Sequence, residues 1–331
     1  MAHSGSPFLE SIRRFMLARR YSKRSIKSYL YWIKCFILFH EKRHPAELGD
    51  ADIVAFLTHL AADRKVAAAT QRIALNALAF LYQQFLEKPA GDFSQFQKSG
   101  RQRKLPVVLT RTEIHQLFSK LSGTRLLIAS LLYGSGLRRI EVVRLRIKDI
   151  DLDNPQIRVW NGKGFKHRIT TLAPELVPKL QAHIQKVTLL MREDCTNNDY
   201  KGVWLPDALQ RKYPNAAYEP GWHYLFPATR LSYEPGTHNL RRHHIDESSV
   251  NKFIRAARLQ VGIGKEVTSH TLRHSFATHL LAAGVDIRTV QEQLGHQDVR
   301  TTEIYTHVLK RGAKGVRSPL SDLDLTMKHA V

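Results

Sequence analysis

Apolar residues recur at helical spacing over most of the chain. Phe8–Leu17 is a short amphipathic stretch. Ser22 is placed to cap a second helix, in which Ile26, Leu30, Ile33 and Ile37 fall three and four apart. Ala51–Leu60 reads as a third, and Leu75, Leu78, Tyr82 and Phe85 form the stripe of a fourth. Residues 1–89 are therefore predicted to form a small helical bundle. Residues 90–106 lose the period and carry Gly, Ser, Pro and basic side chains, which predicts a linker. At Thr110 the period resumes: Thr110 and Glu113 fit a capping box ahead of Ile114, Leu117, Phe118 and Leu121. Leu126–Tyr133 is an apolar helix that Gly134-Ser135-Gly136 breaks.

Alternation replaces the helical period once. Ile157 and Val159 share a face of Gln156–Trp160, Asn161–Gly164 reads as a turn, and His167–Leu172 returns, which predicts a β-hairpin. Leu176–Met191 is helical. Between about 195 and 247 the chain is rich in aromatics, His and Pro, with one short amphipathic piece at Trp204–Lys212, and Ser248–Leu259 resumes the helix. Three helices follow. Phe276, Leu280 and Leu281 hold the first; Ile287, Val290 and Leu294 hold the second, ended by Gly295; Ile304 and Val308 hold the third. Tyr305 lies one position off that last stripe and is expected to face a cleft. The tail, residues 317–331, is too short to bury itself. The expected fold is mainly α with a small hairpin, in two domains: 1–89 and 107–316.

Composition narrows the partner. The 331 residues include 51 Lys plus Arg against 29 Asp plus Glu, a net charge of +22. Together with a pI near 10.1 this points to a polyanion. Two cysteines, Cys35 and Cys195, give no disulfide framework and suit a reducing compartment. No long apolar run or signal-peptide core is present, so a cytoplasmic protein is expected. Arg20, Lys23, Arg24 and Lys27 crowd the start of the second helix; they suit DNA phosphates and equally a solvated face.

The chemistry gathers near the C-terminus. His270 and Arg273 share a helical face, His296 follows Gly295, and Tyr305 comes nine residues later. Far upstream, Arg138 sits at an expected helix start, where anions bind; alone, it equally fits a salt-bridged arginine. Glu141 is placed to orient Arg138 or to support the site elsewhere. An arginine, two imidazoles and a phenol suit a phosphodiester. The fork of arginine grips two phosphate oxygens, histidines donate or move protons, and a phenol can attack phosphorus. Nearby cations are expected to raise the ionised fraction of Tyr305.

The motifs YGSGLRRIEVVRL, HTLRHSFATHLL and LGHQDVRTTEIYTH, in this order, resemble the tyrosine site-specific recombinases, which include phage integrases. The resemblance implies a two-domain clamp, with a helical core-binding domain ahead of an α+β catalytic domain. It implies cleavage and rejoining of DNA through a 3′-phosphotyrosine at Tyr305. Arg138, Arg273 and His296 would hold the phosphate, His270 would accept the phenolic proton, and Lys163 at the hairpin turn would protonate the leaving 5′ oxygen; Lys166 is its rival. No cofactor is required, and the partners implied are DNA and three further copies in a cyclic tetramer, with the tail packed on a neighbour. A type IB topoisomerase shares this chemistry and is the enzymatic alternative; a decayed DNA-binding protein is the non-enzymatic one.

The segment from about 195 to 247 resembles the extra segment of integron integrases. That branch recombines gene cassettes through folded single-stranded sites with protruding bases. Unstacked bases need flat partners. Trp160, Trp222, Pro235, His243 and His244 are the candidates, with Arg241 and Arg242 on the phosphates. Trp222 also fits plain core, His243 and His244 also fit an idle exposed pair, and the His and Cys spacing fits no zinc pattern. An ordinary integrase acting on duplex sites remains the alternative within the family.

Overall fold

The computed structural model describes residues 6–88, 91, 106–160 and 167–306. These fall into two compact units, residues 6–91 and 106–306.

The first unit contains four helices: α1 (Pro7–Ala18), α2 (Lys23–Phe39), α3 (Asp50–Ala62) and α4 (Ala68–Phe80). Ser22 caps α2 as expected, its hydroxyl accepting from the Ser25 amide at 3.0 Å. The buried seam of α2 is Ile26, Trp32, Ile33 and Phe36, with Leu30 and Ile37 on its flank. It packs on Ile53, Phe56, Leu75 and Leu78. Tyr82 is buried beyond α4, and its hydroxyl donates to the Pro45 carbonyl at 3.0 Å. Arg20, Lys23, Arg24 and Lys27 all lie exposed.

The second unit opens with α5 (Arg111–Ser119), α6 (Gly123–Gly134) and α7 (Arg139–Arg144). Thr110 and Glu113 close their capping box: the Thr110 hydroxyl accepts from the Glu113 amide at 3.1 Å, and the carboxylate accepts from the Thr110 amide at 2.7 Å. A three-stranded antiparallel sheet follows, β1 (Ile150–Asp151), β2 (Gln156–Val159) and β3 (Arg168–Thr171). The expected hairpin is β2–β3, with Ile157 opposite Thr170 and Val159 opposite Arg168. Its turn, including Lys163 and Lys166, lies outside the described residues. The edge strand β1 escaped the sequence reading because two residues are too few to alternate.

Helix α8 (Val177–Asp194) leads into the long aromatic segment, which contains α9 (Asp207–Lys212) and a small ladder of β4 (Ser232–Tyr233) with β5 (Leu240–Arg241). The backbone bridge Arg146–Tyr224 ties it to the unit, and the bridge Pro227–His244 closes it on itself. Leu225 and Phe226 reach the main core, fully buried. Four helices complete the unit: α10 (Glu247–Gln260), α11 (Ser269–Ala282), α12 (Ile287–Leu294) and α13 (Arg300–Glu303). Helix α13 ends before Ile304, so the expected third stripe is not a continuous helix; Val308 and the tail lie outside the described residues. Among the described residues no helix is long and apolar enough to cross a membrane.

Candidate active site

Two glycines set the site. Gly136 has φ +59°, and a β-carbon there would drive into the Phe276 ring. Gly295 ends α12 with φ +63°, and a β-carbon there would stand 2.8 Å from Cδ of Arg168. Only glycine adopts such backbone freely while leaving that space. Each glycine then offers its carbonyl to the arginine from the other side. Gly295 accepts from Nη2 of Arg138 at 3.1 Å. Gly136 accepts from Nη1 of Arg273, whose Nη2 also donates to the Leu294 carbonyl at 2.6 Å. Arg138, at the start of α7, is thereby anchored on the end of α12, and Arg273, on α11, on that same end and on the loop before α7.

Glu141, one turn into α7, collects the charge. Its carboxylate accepts from Nη1 of Arg138 at 2.7 Å and from the Arg138 amide at 2.8 Å. Arg168 on β3 grips both of its oxygens, at 3.0 and 2.7 Å. Arg273 stands 4.0 Å away. Burial alone would raise the pKa of this carboxyl; the hydrogen bonds and charge of Arg168, then of Arg138, overcome it and hold the value at about 2. Glu141 thus faces three guanidinium groups, where the sequence suggested one.

The imidazoles are neutral. Burial first, then the charges of Arg273 and Arg138, pull His296 down to about 3. Its Nδ1 lies 2.9 Å from the Thr302 hydroxyl, and its Nε2 lies 3.2 Å from Nη2 of Arg273. Arginine only donates, so Nε2 accepts and Nδ1 carries the proton. His296 thus braces Arg273 in this arrangement instead of offering a third N–H to the site. His270 is solvent-exposed on α11, but neighbouring atoms still strip part of the water from its ring, and this, with the charge of Arg273, lowers its pKa. Arg273 is itself pulled down to about 9 by burial and by Arg138, which leaves it charged at neutral pH.

Tyr305 departs from expectation. It is only 2% exposed and packs with Phe276, Leu281, Val290 and Leu294 instead of facing an open cleft. The apolar face of α12 and the end of α11 close over it, because Tyr305 sits in a turn beyond α13 rather than on a helix face. Burial raises its pKa more than Arg273 and Arg138 lower it, so the resting phenol keeps its proton. Its hydroxyl lies 3.0 Å from Nδ1 of His274.

Two members of the site were missed in the sequence. Arg168 alternates inward with Thr170, a signal the β-period carried. His274 lies four residues from His270, on the same helical face.

The long segment is placed differently from its expectation. Arg241 and Arg242 are 5% and 7% exposed. Arg242 is paired with Asp194, and Arg241 donates to Glu234 at 2.9 Å and to backbone carbonyls. Both are internal braces, which corrects their assignment to phosphates: each guanidinium is buried and paired with a carboxylate. Trp222 is half-buried on Leu205, Ala216 and Ala217, with the Lys148 ammonium 2.8 Å from its ring centroid. His243 is exposed and His244 half-buried, their rings 4.0 Å apart. Pro235 lies exposed beyond β4. Trp160 is 53% exposed, and its indole N–H donates to Asp149 at 2.8 Å. Among the described residues, no three His, Cys, Asp or Glu side chains gather as metal ligands.

Comparison with known proteins agrees with this geometry. The phage integrase family matches residues 107–311, and its N-terminal SAM-like domain matches residues 8–92. An integrase/recombinase of Escherichia coli is 44% identical over 95% of this chain and 93% of its own length. The tyrosine recombinase XerD of Lacticaseibacillus casei is 32% identical over 77% of each. In fold, the chain is similar to a lambda integrase dimer bound to a core site, with TM-score 0.61 and 15% identity over 92% of this chain and 95% of that one. XerH recombinase bound to a difH substrate gives 0.58 and 22% identity over 93% and 82%. The chain belongs to the phage integrase family: it is a tyrosine recombinase, an enzyme that breaks and rejoins DNA strands through a covalent tyrosine intermediate.

Proposed function

We propose that this recombinase inserts and excises gene cassettes, as integron integrases do, and that it takes one cassette site as a folded single strand. The observation that carries this reading is the segment between α8 and α10. It adds to the catalytic unit exposed His243 and Pro235 and half-buried Trp222 and His244. Flat side chains of this kind suit extrahelical bases, each worth about 1–3 kcal/mol when stacked. Trp160, at the end of β2, adds a further exposed ring. Arg20, Lys23, Arg24 and Lys27 would hold duplex phosphates from the N-terminal unit. Four copies would join two sites in a tetramer.

In the reaction, Arg138 and Arg273 would clamp the non-bridging oxygens of the scissile phosphate and stabilise the charge of the transition state. His296 would hold Arg273 in place through its Nε2 acceptor. Attack by the Tyr305 oxygen forms an O–P bond and breaks the P–O5′ bond, leaving a 3′-phosphotyrosine. Lys163 would protonate the departing 5′ oxygen. Since the phosphotyrosine conserves the bond, the reverse attack by a different 5′ hydroxyl completes the exchange without ATP. The apolar cover over Tyr305 must first open to admit the phosphate, a motion that DNA binding would supply while the hydroxyl keeps its place beside His274.

The test is a gel. Each strand of a cassette-type site, folded alone, and the corresponding duplex are incubated with the protein and separated under denaturing conditions. A covalent complex on one folded strand supports the proposal. Adducts on the duplex with none on either folded strand would establish the duplex-acting alternative. Strand exchange between two labelled sites separates either from simple relaxation of supercoils.

A further inference from the structure

We propose that His274, rather than His270, takes the proton from the Tyr305 hydroxyl, and that His270 passes it on toward solvent. The proposal rests on Tyr305 being the nucleophile and not on the identity of the DNA site. Helix α11 places the two histidines one turn apart, with ring centroids 6.2 Å apart at 28°. His274 reaches Tyr305 directly: Nδ1 lies 3.0 Å from the hydroxyl oxygen, and the ring centroids are 5.3 Å apart. Its ring is half-buried, whereas His270 is exposed. Buried phenol, half-buried imidazole and exposed imidazole thus form a graded path outward.

The other imidazole beside the phenol is already committed. The His296 ring lies parallel to Tyr305, with centroids 6.2 Å apart at 21°. Both its nitrogens are engaged, one by Thr302 and one by Arg273. The groups that face His274 are His270 and Arg273 from its own helix, His296 from the end of α12, and Tyr305. None is a carboxylate, so His274 stays neutral at rest and its Nδ1 lone pair is free to accept. As the Tyr305 oxygen bonds to phosphorus, its O–H bond breaks and the proton moves to Nδ1. The imidazolium then releases its Nε2 proton toward His270. The bound phosphodiester, an anion, favours the charged form at that moment. In the reverse step Nδ1 returns its proton to the departing phenolate, and Nε2 takes one back from His270. His274 touches a reacting atom and is therefore a catalytic residue under this proposal.

The experiment measures the rate of covalent adduct formation on a labelled cassette-type site, supplied both as a folded strand and as a duplex. His274→Asn keeps an oxygen where Nδ1 stood, so it can accept the hydrogen bond but not the proton. With DNA binding retained, its rate should fall by about 100-fold or more, the size of a general-base contribution. Should the asparagine variant fail to bind DNA, His274→Ala serves instead. Added imidazole should restore adduct formation there, with a pH dependence that follows imidazole. A His274→Asn rate within threefold of wild type would overturn the assignment. So would imidazole rescue of His270→Ala with none of His274→Ala. Absence of any adduct from the wild-type protein on every site would instead sink the assignment of Tyr305, a distinguishable failure.

Discussion

Replacing Glu141 with glutamine removes one charge from the centre of three guanidinium groups and changes little else in shape. Two routes give the same cost. Holding the carboxyl at about 2 instead of the usual 4.5 corresponds to about 3 kcal/mol of stability at neutral pH. Removing one partner from a buried ion pair costs about 3–5 kcal/mol in general. The side chain is only 7% exposed, so solvent screens little of this. For a unit of this size, the loss lowers the melting temperature by roughly 6–12 °C. The sign with pH follows from the depressed value. The contribution is complete above the unfolded carboxyl pKa near 4.5 and is lost as pH falls toward about 2. Urea unfolding followed by fluorescence is a direct assay, because Trp160, Trp204 and Trp222 all lie in the catalytic unit. Wild type should lose stability between pH 4.5 and 2, and Glu141→Gln should lack that component of the slope. A variant within 1 kcal/mol of wild type at pH 7, with an unchanged acid profile, would refute the claim that Glu141 holds the arginines together.

Tyr305→Phe should bind DNA as wild type does and form no adduct on a denaturing gel; a surviving adduct would move the nucleophile elsewhere. Arg242→Ala should cost about 3–5 kcal/mol in denaturant unfolding, because it strands Asp194 without a partner, and should leave the salt dependence of DNA binding unchanged. A shallower salt slope with intact stability would restore its phosphate role. Gly136→Ala should destabilise by at least about 1 kcal/mol in the same unfolding assay, since it meets both a left-handed backbone and the Phe276 ring. Arg146→Ala should expose the long segment to limited proteolysis while the rest of the unit persists, because this guanidinium donates to the Trp204 carbonyl at 2.9 Å and to the Trp222 carbonyl.

The helical bundle and the hairpin were legible because their periods are local. Ser22, the Thr110–Glu113 box and the Ile157–Val159 face each depend on residues a few positions away. Arg138, Arg273 and His296 were legible through motif order, and the structure brings them together. Arg241 and Arg242 were misread because sequence shows charge but not partner: the acids that claim them, Glu234 and Asp194, lie 7 and 48 residues away. Tyr305 was misread for a similar reason. One position off an apolar stripe implies an open face only while the helix continues, and α13 stops at Glu303. His274 was overlooked although it lies beside Arg273 in the chain. The i,i+4 spacing put it on the His270 face, but its hydroxyl partner is 31 residues away and leaves no local signal.

The site as it stands is charged but quiet. Three guanidinium groups surround one carboxylate, and burial together with that surplus keeps His296 at about 3 and His274 at about 4, both neutral. The same surplus fails to ionise Tyr305, because burial in the Phe276–Leu294 cluster outweighs it. A phosphodiester changes both balances at once. Its negative charge offsets the arginines, raises the imidazoles toward protonation, and gives the phenolic oxygen something to attack. Activation therefore requires an anion on the arginines and an opening of the apolar cover over the tyrosine, two conditions that meet only when DNA is in place. Such a coupling keeps the nucleophile protonated and unreactive until a strand is there to receive it.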